Sequence, residues 1–448
     1  MRDLSARLRE IVRRERGHPS AGLPAPPAPL RELTYVSDIG SGDTIASVGE
    51  RLGGSAVDDA GGCVMIDRHY PGDRSHGRRR IESCRPEAGA PITLFDARID
   101  MPEWWRRVVY FDIETTGLSG GAGTLAFLAG CGWFDAAGAF VVRQFFLAGP
   151  AGERAMLAEL ARVFEGASML VTYNGRTFDV PFMETRWAFH RTAAPTLDLV
   201  HFDMLPSARR LWGRRELARP DGEGCSLSAL ERRVLGFHRI GDVPGFEIPG
   251  RYFQFLRTGD AALIESVLEH NRLDIVSLAA VMSHALWMIQ EGPDACREPS
   301  EQLAIGQIYE RAGDVERAAA AYEMATATGD ADVKRPAWAR LATMHRRASR
   351  HDAAAAAWQQ VLDLVPHSRR SLTPIERQAV EALAIHHEHR ARDLDRARGY
   401  AEALGASTSG RRREETDRRL ERLARKMESH QRAHIAGLRY DIDDGVES

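Results

Sequence analysis

The spacing of apolar residues changes character along the chain. Near the start, Leu4, Leu8, Ile11 and Val12 share one helical face, which predicts a short amphipathic helix that either docks or forms a basic arm. Residues 18–30 carry five prolines and read as a linker, so residues 1–33 form an N-terminal helix and linker. Residues 34–100 hold short apolar runs, CVMI at 63–66 and PITLF at 91–95, broken by Gly, Asp and Pro. They predict a small β-containing region packed on the mixed region C-terminal to it. Its stretch 68–80, RHYPGDRSHGRRR, is locally basic and reads as a solvated loop or a lip that contacts substrate.

Strands and helices mix over residues 101–291. Strands are expected at 107–114, 124–134 and 139–148, the last two joined by Asp135-Ala136-Ala137-Gly138, a hairpin signal. Helical spacing at 153–164, a buried strand at 168–174, a helix at 179–190, a strand at 197–203 and a long helix at 260–289 complete the unit. Three antiparallel strands followed by helix–strand–helix–strand describe an α/β domain with a mixed sheet.

From residue 298 the period is helical throughout. The segment 304–325 is matched by 339–362, and Tyr322 and Trp358 stand 36 positions apart. A third, weaker copy runs over 384–404 with Tyr400. A period in the mid-thirties with small Ala positions resembles tetratricopeptide repeats, placed at 298–405. Residues 406–448 are an Arg/Glu-rich helix and an acidic tail.

Composition narrows the class. The 448 residues exceed one ordinary domain, and 44% hydrophobic with 27% charged residues is a globular balance. The net charge of −3 gives no global basic signal for nucleic acid, though it leaves room for a local basic groove. Only Lys334 and Lys426 are lysines, so arginine is favoured throughout and a single Arg carries little weight. Five widely spaced cysteines without a C-x-x-C pair argue against disulfides and a Cys-based zinc site, and fit a reducing cytoplasm. The N-terminus lacks the apolar core of a signal peptide, and no uninterrupted apolar run of membrane-spanning length is read.

Candidate chemistry sits in the mixed region. In FDIETTGL (111–118), residues two apart on a strand share a face, so Asp112 and Glu114 project together. Two adjacent carboxylates repel unless a cation lies between them, and oxygen donors suit Mg²⁺ or Mn²⁺. On this pair alone, a strand end with ordinary surface acids is the simpler reading. In YNGRTFDVPF (173–182), Asp179 opens a helix after a polar turn and reads as a metal ligand, an N-cap, or both. In EHNRLDIVSL (269–278), His270 and Asp274 are four apart on one helical face. At 208–219, ARRLWGRRELAR, arginines around Trp212 read as a solvated helix or as a backbone-tracking surface with a stacking ring. No phosphate-binding G-x-x-x-x-G-K-[ST] loop is present.

Together, D-I-E-T, N-x-x-x-F-D and H-x-x-x-D resemble the three motifs of the DEDD exonuclease superfamily, which has the RNase H-like fold. The second motif is close to that of family B DNA polymerase proofreading domains. The wider context, with LDLVHFDMLPSARRLW, SLSALERRVLG and HNRLDIVSL, resembles bacterial YprB-like proteins over about 34–290. The resemblance implies that Asp112, Glu114, Asp179 and Asp274 bind two divalent cations, Mg²⁺ or Mn²⁺. It implies that Asn174 and Phe178 support the site or grip the terminal nucleotide, and that Thr115, Thr116, Gly117 and Leu118 meet the 3′ end. The superfamily places Tyr four residues before the last Asp or His five before. Here His270 stands at four and Glu269 at five. On a helix these offsets are rotations of ~400° and ~500°, so His270 keeps the face of the Tyr-type group and becomes the candidate base.

The expected function is metal-dependent 3′–5′ exonuclease action on single-stranded DNA or RNA, with the repeats docking a protein partner and no membrane involved. An endonuclease with the same site, structure-specific or RNA-processing, is the second reading. A non-catalytic module that binds nucleic acid and recruits partners is the third.

Overall fold

A computed structural model describes residues 45–57, 62–117, 123–213, 224–366 and 371–443. The N-terminal helix, the proline-rich linker, Leu118 and part of 208–219 lie outside the described residues. The described residues open with α1 (Ile45–Arg51), β1 (Ser55–Ala56) and β2 (Cys63–Tyr70), then a small ribbon of β3 (Ser75–His76) and β4 (Arg79–Arg80). Next come β5 (Val108–Thr115), β6 (Ala126–Phe134), β7 (Phe140–Leu147), α2 (Glu153–Phe164), β8 (Met169–Thr172) and α3 (Asp179–Phe189). The unit ends with β9 (Val200–Asp203), α4 (Met204–Trp212), α5 (Ile248–Thr258) and α6 (Ala262–Glu291).

Seven strands form one mixed sheet in the order β1-β2-β7-β6-β5-β8-β9. β5, β6 and β7 are an antiparallel meander, while β8 and β9 run parallel to β5. The meander turns at Asp135, whose carboxylate accepts the Ala139 N–H at 2.9 Å. The stretch 63–70 belongs to this same sheet: β2 pairs antiparallel with β7 from Cys63↔Leu147 to Tyr70↔Phe140. Its buried Val64 and Ile66 join the apolar cluster that also holds Phe146.

The alternation along β5 sets the site. Val109, Phe111 and Ile113 point into a cluster with Met156, Leu160 and Phe164 of α2. The Phe111 and Phe164 rings meet edge to face at 5.3 Å. Tyr110 joins the opposite cluster with Ile275, Leu278 and Met282 of α6. Asp112 and Glu114 therefore share the side that α6 covers. A register shift between Glu114 and Thr115 marks a bulge at the end of the pairing with β6.

By length and composition α6 would qualify to cross a membrane, which amends the expectation that no segment does. Yet 72% of its apolar window is buried inside the protein, so its hydrophobicity is accounted for as the core helix of the sheet.

The C-terminal region is helical: α7 (Pro299–Ala312), α8 (Val315–Thr328), α9 (Ala331–Arg347), α10 (His351–Asp363), α11 (Pro374–His386), α12 (Leu394–Ala406) and α13 (Arg411–Asp443). Leu303, Ile308, Tyr309 and Tyr322 share a core with α6. Arg317 donates to the Ile289 and Gln290 carbonyls at 2.6 and 2.8 Å, and Tyr309 Oη to Ile289 at 2.5 Å. These bonds satisfy carbonyls that the end of α6 leaves open, so the first helical pair is fastened to the α/β unit. Trp358 centres a second cluster with Ala342, Val361 and Leu383.

Neither the solvated helix nor the stacking ring read at Trp212 holds for this side chain. The indole is 4% exposed, and its Nε1–H donates to Glu301 on α7 at 3.0 Å. The apolar face of α4 turns this ring into the seam with α7, away from any nucleotide.

Candidate active site

Three elements converge beside the end of β5. Asp112 and Glu114 come from β5, Asp179 from the first turn of α3, and Asp274 from α6. Burial raises the Asp112 carboxyl well above the usual carboxylate range, and the charges of Asp274, Glu114 and Asp179 add to this. Glu114 is pushed up to about 8, by burial first and then by Asp274 and Asp179. Asp179 is pushed up to about 7, again chiefly by burial, although backbone N–H groups at Asp179 and Ile113 favour its charged form. Three carboxyls so held back from ionising, beside the charge of Asp274, describe a site short of positive charge.

Asp179 is the first residue of α3, not its N-cap; Phe178 holds the cap position and makes no side-chain cap bond. The turn before it is fixed from below. Asn174 takes the left-handed conformation (φ 67°), and its N–H donates to the buried Asp203 carboxylate at 2.8 Å. Asp203 also accepts from the N–H groups of Arg176 and Leu205 at 3.2 and 3.0 Å. Gly175 is required there, because a Cβ would meet Thr172 at 2.5 Å and Asp179 Oδ2 at 2.8 Å. Asn174 Oδ1 accepts from Thr177 at 3.2 Å, which places the Asn174 side chain in the turn itself. The Phe178 ring stacks on Phe182 at 5.9 Å.

Asp112 is held from the helix side. Asn271 Nδ2 donates to Asp112 Oδ2 at 2.8 Å, and Asn271 Oδ1 accepts from Gln144 Nε2 at 2.9 Å. Gln144 and Asn271 are fully buried, so this is an interior relay from β7 through α6 to β5. Gly130 on β6 makes room for it: a Cβ would lie 2.3 Å from Asn271 Oδ1 and 2.3 Å from Ile275.

His270 lies at the open side of the cluster. Its Nδ1 is 2.7 Å from Asp242 Oδ1, while Nε2 is 3.4 Å from Asp274 and 4.0 Å from Glu114. Ligand atoms of Glu114, His270 and Asp274 all lie within 4.8 Å of one another. Two carboxylates and an imidazole so placed are a candidate donor set for a divalent cation. The raised carboxyl groups fit the same conclusion, since a cation would relieve their repulsion.

Arg239 is the cation the site already has. Its guanidinium bonds Asp274, meets Glu231 at 2.6 and 2.8 Å, and reaches Asp242 at 3.2 Å. Glu231 is buried and sits in a π-turn, Glu231–Leu235, a deformation frequent at functional sites. Thr115 Oγ1 donates to the Gly117 carbonyl at 3.0 Å, and Thr116 pairs with Leu125 through both N–H and Oγ1. These bonds shape the turn that follows the bulge.

Sequence reading singled out the acids and His270 but gave no role to Asn271, Glu231, Arg239, Asp242, Gln144 or Asp203. Three of these lie within motifs already noted: Asn271 in HNRLD, Glu231 in SLSALERRVLG and Asp203 in LDLVHFD.

A model of the RNase H superfamily matches residues 109–286, the stretch from β5 to the later part of α6. The chain is also 31% identical over 379 residues to the uncharacterized protein YprB of Bacillus subtilis (strain 168). The match covers 82% of this chain and 87% of that protein. The chain belongs to the YprB family. In this YprB-family protein the superfamily domain contains all four acids and His270, together with Asn271 and Arg239. The superfamily supports nuclease chemistry, and the acidic cluster is the place in the described structure suited to hold its metal.

Proposed function

We propose that this protein is a metal-dependent nuclease of the DEDD type that shortens single-stranded nucleic acid from the 3′ end. The observation that carries the reading is the convergence of Asp112, Glu114, Asp179 and Asp274 from three elements beside the end of β5, with His270 Nε2 3.4 Å from Asp274 and 4.0 Å from Glu114. Divalent cations held by these four residues would supply an activated water and stabilise the leaving 3′-oxygen.

The chain's own residues have distinct tasks. Asn271 fixes the rotamer of Asp112 through a charge-assisted bond. Arg239 holds Asp274, and its second set of bonds to Glu231 keeps it from swinging away. Asp242 accepts the Nδ1–H of His270, which leaves the Nε2 lone pair facing Glu114 and Asp274. An imidazole so placed is the candidate to accept a proton from the attacking water. The turn at Thr115, Thr116 and Gly117, with Phe178, borders the cluster where a terminal nucleotide would lie. The helical pairs from α7 onward, read as tetratricopeptide-like repeats, would dock a protein partner.

Digestion of 5′-labelled single-stranded DNA and RNA with Mn²⁺ tests the polarity. A ladder shortening from the 3′ end is expected. Internal cuts would replace this reading with an endonuclease. Binding without cleavage at any metal concentration would leave a recruiting module.

A further inference from the structure

Beside the acidic cluster lies a cavity of a different character. It has a volume of about 370 Å³ and forms between the end of β2, the 74–76 loop, the 237–240 loop and α6. Arg68, Arg74, Arg239 and Arg272 line it, with His69 and Tyr70. Glu269 is the one carboxylate among its lining residues.

The charges do not cancel. Arg239 is taken up by Glu231, Asp242 and Asp274, and Arg272 by Glu269. Arg68 donates to main-chain carbonyls of Leu52, Gly53 and Asp67. Arg74 lies 4.8 Å over the Tyr70 ring. Among the described residues, neither Arg68 nor Arg74 meets a carboxylate in an ion pair. The cavity therefore keeps an excess of positive charge over a wall of forked donors, an arrangement that fits phosphate.

The basic stretch is docked and does not hang in solvent. His76 is 5% exposed, its Nε2 is 2.7 Å from Ser277 Oγ on α6, and its ring packs on Phe237 at 4.1 Å. Arg74 is carried on this anchored ribbon. Two connections make the cavity a neighbour of the acidic cluster. Arg239 lines the cavity while bonding Asp274. Glu269 and Leu273 precede His270 and Asp274 on α6, so the cavity occupies the adjoining helical face. At its rim Ile240 is 98% exposed.

We propose that this cavity is a phosphate subsite that receives a backbone phosphate of the nucleic-acid strand next to the one cleaved. The inference rests on the nuclease reading for its choice of ligand, and its test separates the two. Binding of a fluorescein-labelled single-stranded oligonucleotide is measured by anisotropy in EDTA, with the full-length chain, across a salt series. Arg74→Gln and Arg68→Gln are each expected to weaken binding roughly tenfold and to flatten the salt dependence by about one unit of slope. Arg74→Lys restores most of the slope, and Arg346→Gln, on the distant α9, leaves binding unchanged. Inorganic phosphate competes with the strand on the wild type and loses that effect in the double variant. Equal affinity for strands with and without a 5′-phosphate assigns the site to an internal phosphodiester; preference for the 5′-phosphate assigns it to a terminal one and overturns the internal placement.

Wild-type affinity and slope in both Gln variants overturn the subsite, even if Mn²⁺-dependent cleavage is observed. Absence of strand binding by the wild type also overturns it. Arg74-dependent binding without any Mn²⁺-dependent cleavage keeps the subsite and removes the nuclease reading.

Discussion

Asp242 Oδ1 lies 2.7 Å from His270 Nδ1, and this contact decides which nitrogen of the ring faces the acidic cluster. With Nδ1–H donated to Asp242, Nε2 is left as an acceptor toward Asp274 and Glu114. Asp242→Asn is expected to lose ~10–100-fold in cleavage rate, because the amide can donate to Nδ1 and turn the tautomer round. His270→Ala should be at least as slow. Steady-state rates with Mn²⁺, beside melting curves to show intact folding, check both. An unchanged rate in His270→Ala removes the imidazole from the mechanism.

The relay Gln144–Asn271–Asp112 predicts a stability effect as well as a functional one. Asn271→Leu leaves Asp112 Oδ2 without its amide donor and Gln144 Nε2 without the Asn271 partner it now has. The expected cost is about 1–3 kcal/mol by denaturant unfolding. Gly130→Ala attacks the same point from β6, since its methyl would have to displace Asn271 or Ile275. Overpacking of this kind costs about 1–3 kcal/mol and should lower activity with it. A Gly130→Ala protein as stable and active as the wild type would show that the contact yields easily.

The fold was legible where one element decides it. FDIE alternates apolar and acidic residues at the end of the strand, so the shared face of Asp112 and Glu114 comes from the strand period alone. The long helix carrying His270 and Asp274 was equally plain, within two residues at each end. The pairing of β2 with β7 was not, because nothing local records a partner between 70 and 84 positions away. Arg239 and Asp242 lie in a loop without periodicity, and their importance is set by contacts across to α6. Trp212 misled because an arginine-rich helix looks solvated until its other face meets Glu301.

The carboxyl shifts give a pH dependence with a definite sign. Glu114 and Asp179 have native values of about 8 and about 7, against ordinary values of 4.5 and 3.8. Between these limits the metal-free native state binds more protons than the unfolded chain, so its stability falls as pH rises. A cation competes with those protons. The melting temperature should therefore gain more from Mn²⁺ above the ~8 of Glu114 than below the ~7 of Asp179. Thermal shifts at two pH values read this directly. A metal shift that is equal at both, or larger at the lower pH, contradicts it.

Burial holds His76 and His284 down to about 4 from the usual 6.5. Both are neutral in the native state, and the unfolded chain takes up their protons first. Their contribution to stability is complete above 6.5 and is lost as pH falls toward 4. His76→Gln should make unfolding less sensitive to acid over that window, even if it lowers stability at neutral pH. The measurement is the unfolding midpoint in urea as a function of pH.

The central claim is that the four-carboxylate cluster is a divalent-cation-dependent phosphodiesterase centre. Its most direct test is the rate of single-strand cleavage as a function of Mn²⁺ concentration, with wild type and Asp112→Asn side by side. A rate that saturates with metal in the wild type and falls by ~10³ or more in the variant is the predicted result. Equal cleavage by the two proteins, or none by the wild type at any metal concentration, would contradict it.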